Sequence, residues 1–184
     1  MKQPAIFIDR DGTLNEEVDY LCRPEDTVLT PRAGQAIAGL NKRGIPVLVI
    51  SNQAGIGKGK FEWKDYESVM QHLDHLLAAE GARIDGVYVC PFHPSANEDY
   101  RHPSHPDRKP NPGMLLRAAD EHGIDLAKSW MIGDKTIDLE AGRNAGCRVA
   151  LVRTGYGTVT DGALADLVAD NLADAIERIL GQWD

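Results

Sequence analysis

The sequence lacks a long apolar run, a set of paired cysteines and an excess of positive charge. Its apolar runs stay short of the ~18–20 consecutive residues that a membrane span needs, and the opening segment 1–9 becomes charged too early for a signal peptide. The three cysteines, Cys22, Cys90 and Cys147, are widely spaced and odd in number. That pattern argues against a disulfide framework and favours a reducing cytoplasm as the location.

Negative charge dominates instead, because 28 Asp and Glu residues outnumber 20 Lys and Arg residues and give a net charge of −8. We therefore expect no general attraction to nucleic acid or to anionic membranes. A phosphorylated ligand would have to be bound by local groups such as a metal ion, a few cations or backbone amides. The 184 residues, 42% hydrophobic and 26% charged, predict a single domain over residues 1–184. No long apolar stripe is left for a partner, so we expect a monomer.

Short apolar runs alternate with helical patterns along the chain. The predicted strands are residues 5–8, 46–50, 86–89, 130–132 and 148–152, and the predicted helices are residues 32–43, 63–79, 113–122, 136–144 and 172–180. This alternation predicts an α/β fold, a Rossmann-like parallel sheet with helices on both faces. In such a sheet the binding crevice lies outside the carboxyl ends of the strands.

Two aspartates follow the first predicted strand, in the segment Asp9-Arg10-Asp11-Gly12-Thr13. On an extended backbone Asp9 and Asp11 point the same way, and Gly12 and Thr13 then turn the chain. Paired carboxylates at a strand end are the oxygen ligands that Mg²⁺ takes. A solvated acidic turn is the alternative, but the apolar strand before the pair favours a functional site.

Polar residues also follow two other predicted strands. Ser51, Asn52 and Gln53 end the second one and offer donors to a phosphate, although alone they are typical of an ordinary turn. Asp134 ends the fourth strand and Asp138 follows one helical turn later. Asp134 is equally typical of a helix N-cap.

Three further segments have weaker patterns. Arg108 and Lys109 lie among prolines, an arrangement suited to binding anionic oxygens, although an isolated basic pair is more often solvated. The glycine-rich segment 55–60 lacks the spacing of a phosphate-binding loop and is expected to be a flexible turn. The segment from Cys90 to Pro112 has little periodicity and holds more than half of the ten prolines. A loop of that length is usually functional or disordered.

Taken in order, these motifs resemble those of the haloacid dehalogenase superfamily of phosphohydrolases over nearly the whole chain. The matching residues are Asp9-x-Asp11-Gly12-Thr13, Ser51, Lys109 and Gly133-Asp134-x-x-x-Asp138. Within that superfamily, segments 7–15, 51–57, 90–94 and 108–115 are similar to the heptose-bisphosphate phosphatases of the ADP-heptose route to lipopolysaccharide core. The histidinol phosphatases are near relatives.

The resemblance implies Mg²⁺-dependent phosphoryl transfer through an aspartyl-phosphate. It makes Asp9 the nucleophile and Asp11 the general acid and then general base, which the site must keep protonated at neutral pH. Mg²⁺ would be held by Asp9, Asp134 and the backbone carbonyl of Asp11, while Lys109 and Ser51 hold the phosphoryl charge. A distance beyond ~8 Å between Asp9 and Asp134 would exclude a shared ion. Asp138 is expected to support the metal or to position Lys109.

The resemblance also implies the absence of a large cap domain, so loops must select the substrate, a small phosphorylated sugar. Acidic side chains at Glu17 and Asp19 suit hydroxyl groups and would repel a second phosphate, which we therefore expect on the Arg108 side. The predicted substrate contacts are Glu17, Asp19, Tyr20, Asn52, Gln53, Arg108 and Lys135.

One departure from the family concerns metal binding. The family usually carries a zinc knuckle, Cys-x-His followed by Cys-x-Cys, whereas this chain has Cys90-Pro91-Phe92 and His105-Pro106-Asp107. A rearranged structural Zn²⁺ site and a loop fixed by its prolines and by packing both remain open. The candidate zinc ligands are Cys90, His93, His102, His105 and Asp107.

Three other functions compete with this one. The first is a phosphatase of the same fold that acts on histidinol phosphate or another small phosphomonoester. The second is a phospho-accepting receiver-type domain, although its phosphorylated Asp follows a later strand and lacks a second Asp two residues on. The third, a catalytically silent binding module, is the least supported because every residue that the chemistry needs is present.

Overall fold

The computed structural model describes residues 2–183, so the two end residues of the predicted domain lie outside it. The strands are β1 (Ile6–Ile8), β2 (Val47–Asn52), β3 (Gly86–Cys90), β4 (Trp130–Gly133), β5 (Arg148–Val152) and β6 (Leu167–Ala169). The helices are α1 (Ala33–Lys42), α2 (Ala54–Gly57), α3 (Trp63–Ala79), α4 (Gly113–His122), α5 (Thr136–Ala145) and α6 (Leu172–Trp183).

The six strands form one parallel sheet in the order β3-β2-β1-β4-β5-β6, which confirms the predicted α/β fold. Ile8 of β1 lies beside Val49 on one side and Ile132 on the other. The strand order reverses between β1 and β4, and a crevice opens at such a point. The residues that follow β1, β2 and β4 therefore meet at one place on the carboxyl edge of the sheet.

Apolar side chains cover both faces of the sheet, because a parallel sheet must be buried on both sides. Ile6 and Ile8 belong to the cluster shared with α1, α3 and α6, whereas Phe7 belongs to the cluster shared with α4 and α5. This alternation along β1 leaves no polar position until Asp9. The rigid strand therefore ends where the first carboxylate begins.

Two elements differ from the sequence prediction. The three-residue strand β6 was not predicted, since it is too short to give a periodic signal. The prediction of a flexible turn at residues 55–60 is wrong for the first half of that segment. This half lies in α2, and its residues Gly55, Ile56 and Gly57 are buried. Both glycines allow close packing, because an added Cβ would lie 2.2 Å from the Phe61 ring at Gly55 and 2.3 Å from the Pro91 carbonyl oxygen at Gly57.

Long irregular segments, not an inserted domain, follow the strands at the carboxyl edge in the described part of the chain. Residues 9–32 follow β1 and residues 91–112 follow β3, each with a single helical turn, at Pro24–Asp26 and Glu98–Tyr100. The predicted absence of a large cap domain agrees with this architecture. Between residues 2 and 183 no helix has the length and apolar character to cross a bilayer.

Candidate active site at the carboxyl edge

Three buried carboxylates converge at the point where the strand order reverses. One oxygen from each of Asp9, Asp134 and Asp138 lies within 4.8 Å of the other two. Asp9 follows β1, Asp134 follows β4, and Asp138 lies in the first turn of α5. The geometric condition for an ion shared by Asp9 and Asp134 is therefore met.

Lys109 supplies the positive charge at this cluster. Its ammonium group lies 2.7 Å from Asp9 Oδ1 and 2.7 Å from Asp138 Oδ1, and it also donates to the Ile50 carbonyl at 2.8 Å. Two hydrogen bonds and a further ion pair thus surround the ammonium group, although the side chain is almost fully buried. Asp138 therefore positions Lys109, one of the two roles expected for it.

The backbone of Lys109 is fixed by Asn52. The Asn52 amide donates from Nδ2 to the Lys109 carbonyl at 3.1 Å and accepts the Lys109 N–H on Oδ1 at 3.1 Å. Asn52 lines the cleft, and these two bonds use one of its two amide hydrogens and its oxygen on Lys109. Asn52 thus helps to position Lys109, and its contact with substrate stays a prediction.

Burial and mutual repulsion raise the pKa values of two of these carboxyl groups. Burial raises the pKa of Asp9 to about 6, with a further contribution from the charge of Asp138 and an opposing one from Lys109. Burial and the charge of Asp9 raise the pKa of Asp134 to about 7. The cluster thus carries more negative charge than its surroundings stabilise, and a bound cation would relieve it.

Asp134 also has an unsatisfied atom. Its Oδ2 accepts the backbone N–H of Tyr156 at 2.7 Å, whereas its buried Oδ1 has no hydrogen-bond partner. An orphaned carboxylate oxygen beside two further carboxylates fits a hard divalent ion such as Mg²⁺.

Asp11 differs from the expectation that the site keeps it protonated. Burial pushes its pKa up, but the Arg10 guanidinium and hydrogen bonds from Asn15 and Gln53 outweigh burial and lower the pKa below its usual value. Arg10 contacts both Asp11 oxygens, at 2.9 Å from Nε and 2.8 Å from Nη2. The expectation is therefore wrong for this state, in which Asp11 is ionised because a buried bidentate cation faces it.

Gln53 joins Asp11 to Ser51. Its Nε2 donates to Asp11 Oδ2 at 2.9 Å and to Ser51 Oγ at 2.8 Å, so both amide hydrogens are used within the protein. Like Asn52, Gln53 lines the cleft yet orients other site residues. The buried Ser51 hydroxyl keeps its own hydrogen for another acceptor.

A cleft of about 270 Å³ leads from Asp11 to solvent. Glu17 and Lys135 form an ion pair of 3.1 Å across it, and the Lys135 ammonium lies 4.5 Å from the centroid of the Tyr156 ring. Burial raises the pKa of Glu17 despite the charge of Lys135. The cleft is lined by Asp11, Glu17, Val18, Asp19, Tyr20, Leu21, Asn52, Gln53, Ala54, Gly55, Lys135 and Tyr156.

Sequence reasoning missed the loop after β5, residues 153–160, hereafter the β5 loop. The Thr154 hydroxyl donates to the Gly12 carbonyl at 2.6 Å, and the Thr160 hydroxyl donates to the Asp134 carbonyl at 2.8 Å. Together with the hydrogen bond from the Tyr156 backbone N–H to Asp134, these bonds hold the β5 loop against one side of the carboxylate cluster. The one sequence feature that could have pointed to this loop is its position directly after the fifth predicted strand.

Arg108 lies outside the residues that line the cleft. It is half-buried, and its Nη1 donates to the Phe92 carbonyl at 3.1 Å. Burial, together with the positive charges of Arg108 and Lys58, lowers the pKa of His93. Arg108 and Lys58 thus both place positive charge near His93, and we call these three residues the basic rim.

The candidate zinc ligands do not form a group of three with metal-binding spacing, although the His102 and His105 rings lie 5.1 Å apart. Among residues 2–183, the group of three or more acidic, His or Cys residues with metal-binding spacing is the cluster of Asp9, Asp134 and Asp138. The Nδ1 atoms of His93, His102 and His105 accept backbone N–H groups two residues further along. The described residues therefore show no assembled zinc site in this loop.

A larger depression, of about 720 Å³, lies at the opposite edge near the amino ends of β2, β4 and β5. It is lined by cations such as Arg43 and Arg148 and by apolar side chains such as Leu180. Its described lining residues include no carboxylate, thiol or imidazole, so it lacks the groups that the carboxyl edge provides.

Comparison with known proteins agrees with this site. Residues 107–175 match the model of the HAD-hydrolase-like family. D-glycero-D-manno-heptose-1,7-bisphosphate 7-phosphatase from Thermosynechococcus vestitus is 42% identical over 190 residues, covering 97% of this chain and 96% of the relative. The D-glycero-beta-D-manno-heptose-1,7-bisphosphate 7-phosphatase of Escherichia coli K12 is 39% identical over 183 residues, covering 97% and 95%.

A solved structure is similar over nearly the whole chain. It is D,D-heptose 1,7-bisphosphate phosphatase from B. bronchiseptica, complexed with magnesium and phosphate. Its TM-score is 0.88 at 31% identity, covering 98% of this chain and 99% of that one.

Proposed function

Since this chain belongs to the family of D-glycero-D-manno-heptose-1,7-bisphosphate 7-phosphatases among the HAD-like hydrolases, we propose that it removes the 7-phosphate of that bisphosphate through an aspartyl-phosphate on Asp9. It is a phosphoric monoester hydrolase. The observation that carries the proposed mechanism is the Asp9 carboxylate at the strand end, 2.7 Å from the Lys109 ammonium and beside the buried Asp134.

In the first half-reaction, a carboxylate oxygen of Asp9 bonds to phosphorus as the bond from phosphorus to the sugar oxygen breaks. Asp11 gives a proton to that oxygen. In the second half, water bonds to phosphorus, Asp11 takes the proton from the water, and Asp9 leaves as inorganic phosphate is released. Lys109 holds Asp9 in line and offsets charge on the transferred group, while Ser51 donates its hydroxyl hydrogen to it.

The protonation of Asp11 changes during this cycle. The ionised Asp11 of this structure is ready for the second half-reaction, in which it acts as a base. For the first half-reaction it must gain a proton, and a phosphate dianion placed beside it raises its pKa in that direction. Arg10 opposes that rise, so the Arg10–Asp11 pair sets how easily Asp11 changes roles.

The residues that would hold Mg²⁺ are Asp9, Asp134 and the backbone carbonyl of Asp11. When bound, the ion offsets negative charge on the phosphoryl oxygens. Asp138 stays paired with Lys109, and the β5 loop holds the second oxygen of Asp134. The orphaned Asp134 Oδ1 is the observation that supports this assignment.

Gly155 keeps the β5 loop close to the proposed metal ligand. It has φ +50, and an added Cβ would lie 2.5 Å from Asp134 Oδ2 and 2.6 Å from the Gly12 Cα. We predict that Gly155→Ala weakens Mg²⁺ binding by about 10–100-fold, as loss of support around a metal ligand commonly does. Isothermal titration with Mg²⁺ measures the effect.

The matched control for this variant is Gly123→Ala. Gly123 has φ +63 and open space around its Cβ position, so the substitution brings similar backbone strain without a clash. Mg²⁺ affinity should stay at the level of the unmodified protein. Equal Mg²⁺ affinities for the two alanine variants would contradict the proposed role of the β5 loop.

Substrate selection is assigned to the cleft and to the basic rim outside it. Glu17, Asp19 and Tyr20 line one side, where carboxylates accept hydrogen bonds from sugar hydroxyls. Their negative charge disfavours a second phosphate there. The basic rim around Arg108 supplies the positive charge that a second phosphate requires.

The fold disfavours a receiver-type domain. Receiver domains of the flavodoxin-like class have strand order 2-1-3-4-5, whereas this sheet has the order β3-β2-β1-β4-β5-β6. The acid pair follows β1, and Asp11 occupies the position from which it can assist hydrolysis. We therefore expect turnover and no long-lived phospho-aspartate.

The test is phosphate release from both anomers of D-glycero-D-manno-heptose 1,7-bisphosphate and from histidinol phosphate, with Mg²⁺ or with EDTA. We expect kcat/KM for the better bisphosphate anomer to exceed that for histidinol phosphate by about 100-fold or more, since polar sites strongly reject analogues that leave them unpaired. EDTA should abolish turnover. Preference for histidinol phosphate would overturn the substrate assignment and leave the phosphatase chemistry intact.

A further inference from the structure

The loop after β3 is organised around two stacked rings. The Phe92 and His105 rings are parallel within 1°, and their centroids are 3.9 Å apart. His102 packs edge-on against both of them, at centroid distances of 6.4 Å and 5.1 Å. Tyr100 packs edge-on against Phe92 at 5.7 Å. The stack thus brings Phe92 and His105, which are 13 positions apart in sequence, into direct contact.

Both stacked residues are hydrogen-bonded to Arg108. The carbonyl of Phe92 accepts from the Arg108 guanidinium at 3.1 Å, and the carbonyl of His105 accepts from the Arg108 backbone N–H at 2.9 Å. One bond fixes the charged end of the side chain and the other fixes its backbone end. The location of the guanidinium therefore depends on the distance between Phe92 and His105, which the stack helps to fix.

Other contacts hold the loop independently of the stack. The Trp63 indole donates to the Tyr100 hydroxyl at 3.0 Å, and Asp107 pairs with Arg117 at 2.6 Å. Loss of one stacked ring should therefore leave the loop folded. The specific consequence is a less fixed guanidinium at Arg108, one residue from the Lys109 that contacts Asp9.

We propose that Phe92 and His105 are positioning residues that hold Arg108 for the second phosphate of the substrate. This inference rests on the proposed function, in which the basic rim binds that phosphate. An arginine held at both ends loses less conformational freedom on binding an anion than a free side chain does. The stack should therefore favour binding of bisphosphates over monophosphates without touching the substrate itself.

The experiment compares Phe92→Leu, which removes the ring, with Phe92→Tyr, which keeps it. The substrates are the heptose 1,7-bisphosphate and the same heptose carrying only the 7-phosphate. We expect Phe92→Leu to raise KM for the bisphosphate by about threefold to tenfold, the range that corresponds to one aromatic pair. Both kcat and the KM for the 7-phosphate should stay unchanged, and Phe92→Tyr should behave like the unmodified protein.

A second set of variants separates positioning from general stability. His105→Leu removes the opposite ring and should reproduce the selective rise in KM. In an Arg108→Met background, Phe92→Leu should add less than about a twofold change, because residues that act through one group are not additive. An equal rise in KM for both substrates, or the same factor with and without Arg108, would overturn the inference.

Failure of the proposed function gives a different result. If the unmodified protein releases no phosphate from the heptose bisphosphate, the substrate assignment fails. If it does so but Arg108→Met affects both substrates equally, phosphatase activity stands, and both the second-phosphate role of Arg108 and the positioning role of the stack are wrong.

Discussion

Replacing Asp9 with Asn should abolish phosphate release and leave the fold intact. The amide keeps the shape of the carboxylate and can still accept a hydrogen bond from Lys109, but it cannot form the acyl phosphate. We expect kcat to fall by at least about 10³-fold, as happens when a nucleophile is removed. Steady-state phosphate release from the heptose bisphosphate measures the loss.

The same variant should unfold less readily in Mg²⁺-free buffer. Burial and the charge of Asp138 raise the pKa of Asp9 to about 6 from 3.8, so the folded state binds its proton more tightly than the unfolded state. At pH values above 6 the ionised Asp9 therefore destabilises the fold, and Asp9→Asn should raise the free energy of unfolding by about 1–3 kcal/mol. The gain should shrink as the pH falls through 6 and vanish below 3.8.

Asp120→Asn is the matched control, because it makes the same chemical change at an exposed position on α4. Activity and stability should both stay near those of the unmodified protein. Near-full activity in Asp9→Asn would refute the covalent route. Loss of activity together with loss of stability would show that Asp9 acts through structure and not as a nucleophile.

The strand-end rule explains why the carboxylate cluster of the candidate site was predictable from sequence. An apolar run followed by a carboxylate fixes both a strand and the edge at which it ends, so Asp9 and Asp134 had to lie on the same side of a parallel sheet. Their proximity further depends on the neighbouring positions of β1 and β4 in the sheet, which the sequence pattern did not predict. The same rule applies to the end of β5. The residues that follow β5 contain no pair of acidic or basic side chains, so sequence reasoning overlooked the β5 loop.

Residues that position other residues were harder to predict. Asn52 and Gln53 were recognised as polar groups in the right place, but the partners of an amide depend on side chains distant in sequence. Arg10 lies inside the first motif, and sequence reasoning did not show that it folds back onto Asp11. The stack of Phe92 on His105 joins two positions of an aperiodic loop, and no local pattern predicts such a contact.

Replacing Lys109 with Met should cost more stability than replacing any exposed cation. Methionine fills a similar volume but removes the charge that lies 2.7 Å from both Asp9 and Asp138, and it leaves the Ile50 carbonyl without this donor. Breaking a buried ion pair on one side costs about 3–5 kcal/mol, because the remaining charge stays buried without a partner. Urea unfolding without Mg²⁺ measures the loss in the free energy of unfolding.

The matched control is Lys64→Met, the same substitution at an exposed ion pair with Glu62 of 2.8 Å. Exposed pairs contribute about 0–1 kcal/mol, so this variant should unfold almost as the unmodified protein does. Added Mg²⁺ should restore part of the stability of Lys109→Met, since a divalent ion also offsets the charge of Asp9. Activity should remain lost, because the transferred phosphoryl group lacks the Lys109 ammonium. Equal stability losses in the two variants would show that the buried carboxylates are protonated when Lys109 is absent, and that the lysine is retained for catalysis alone.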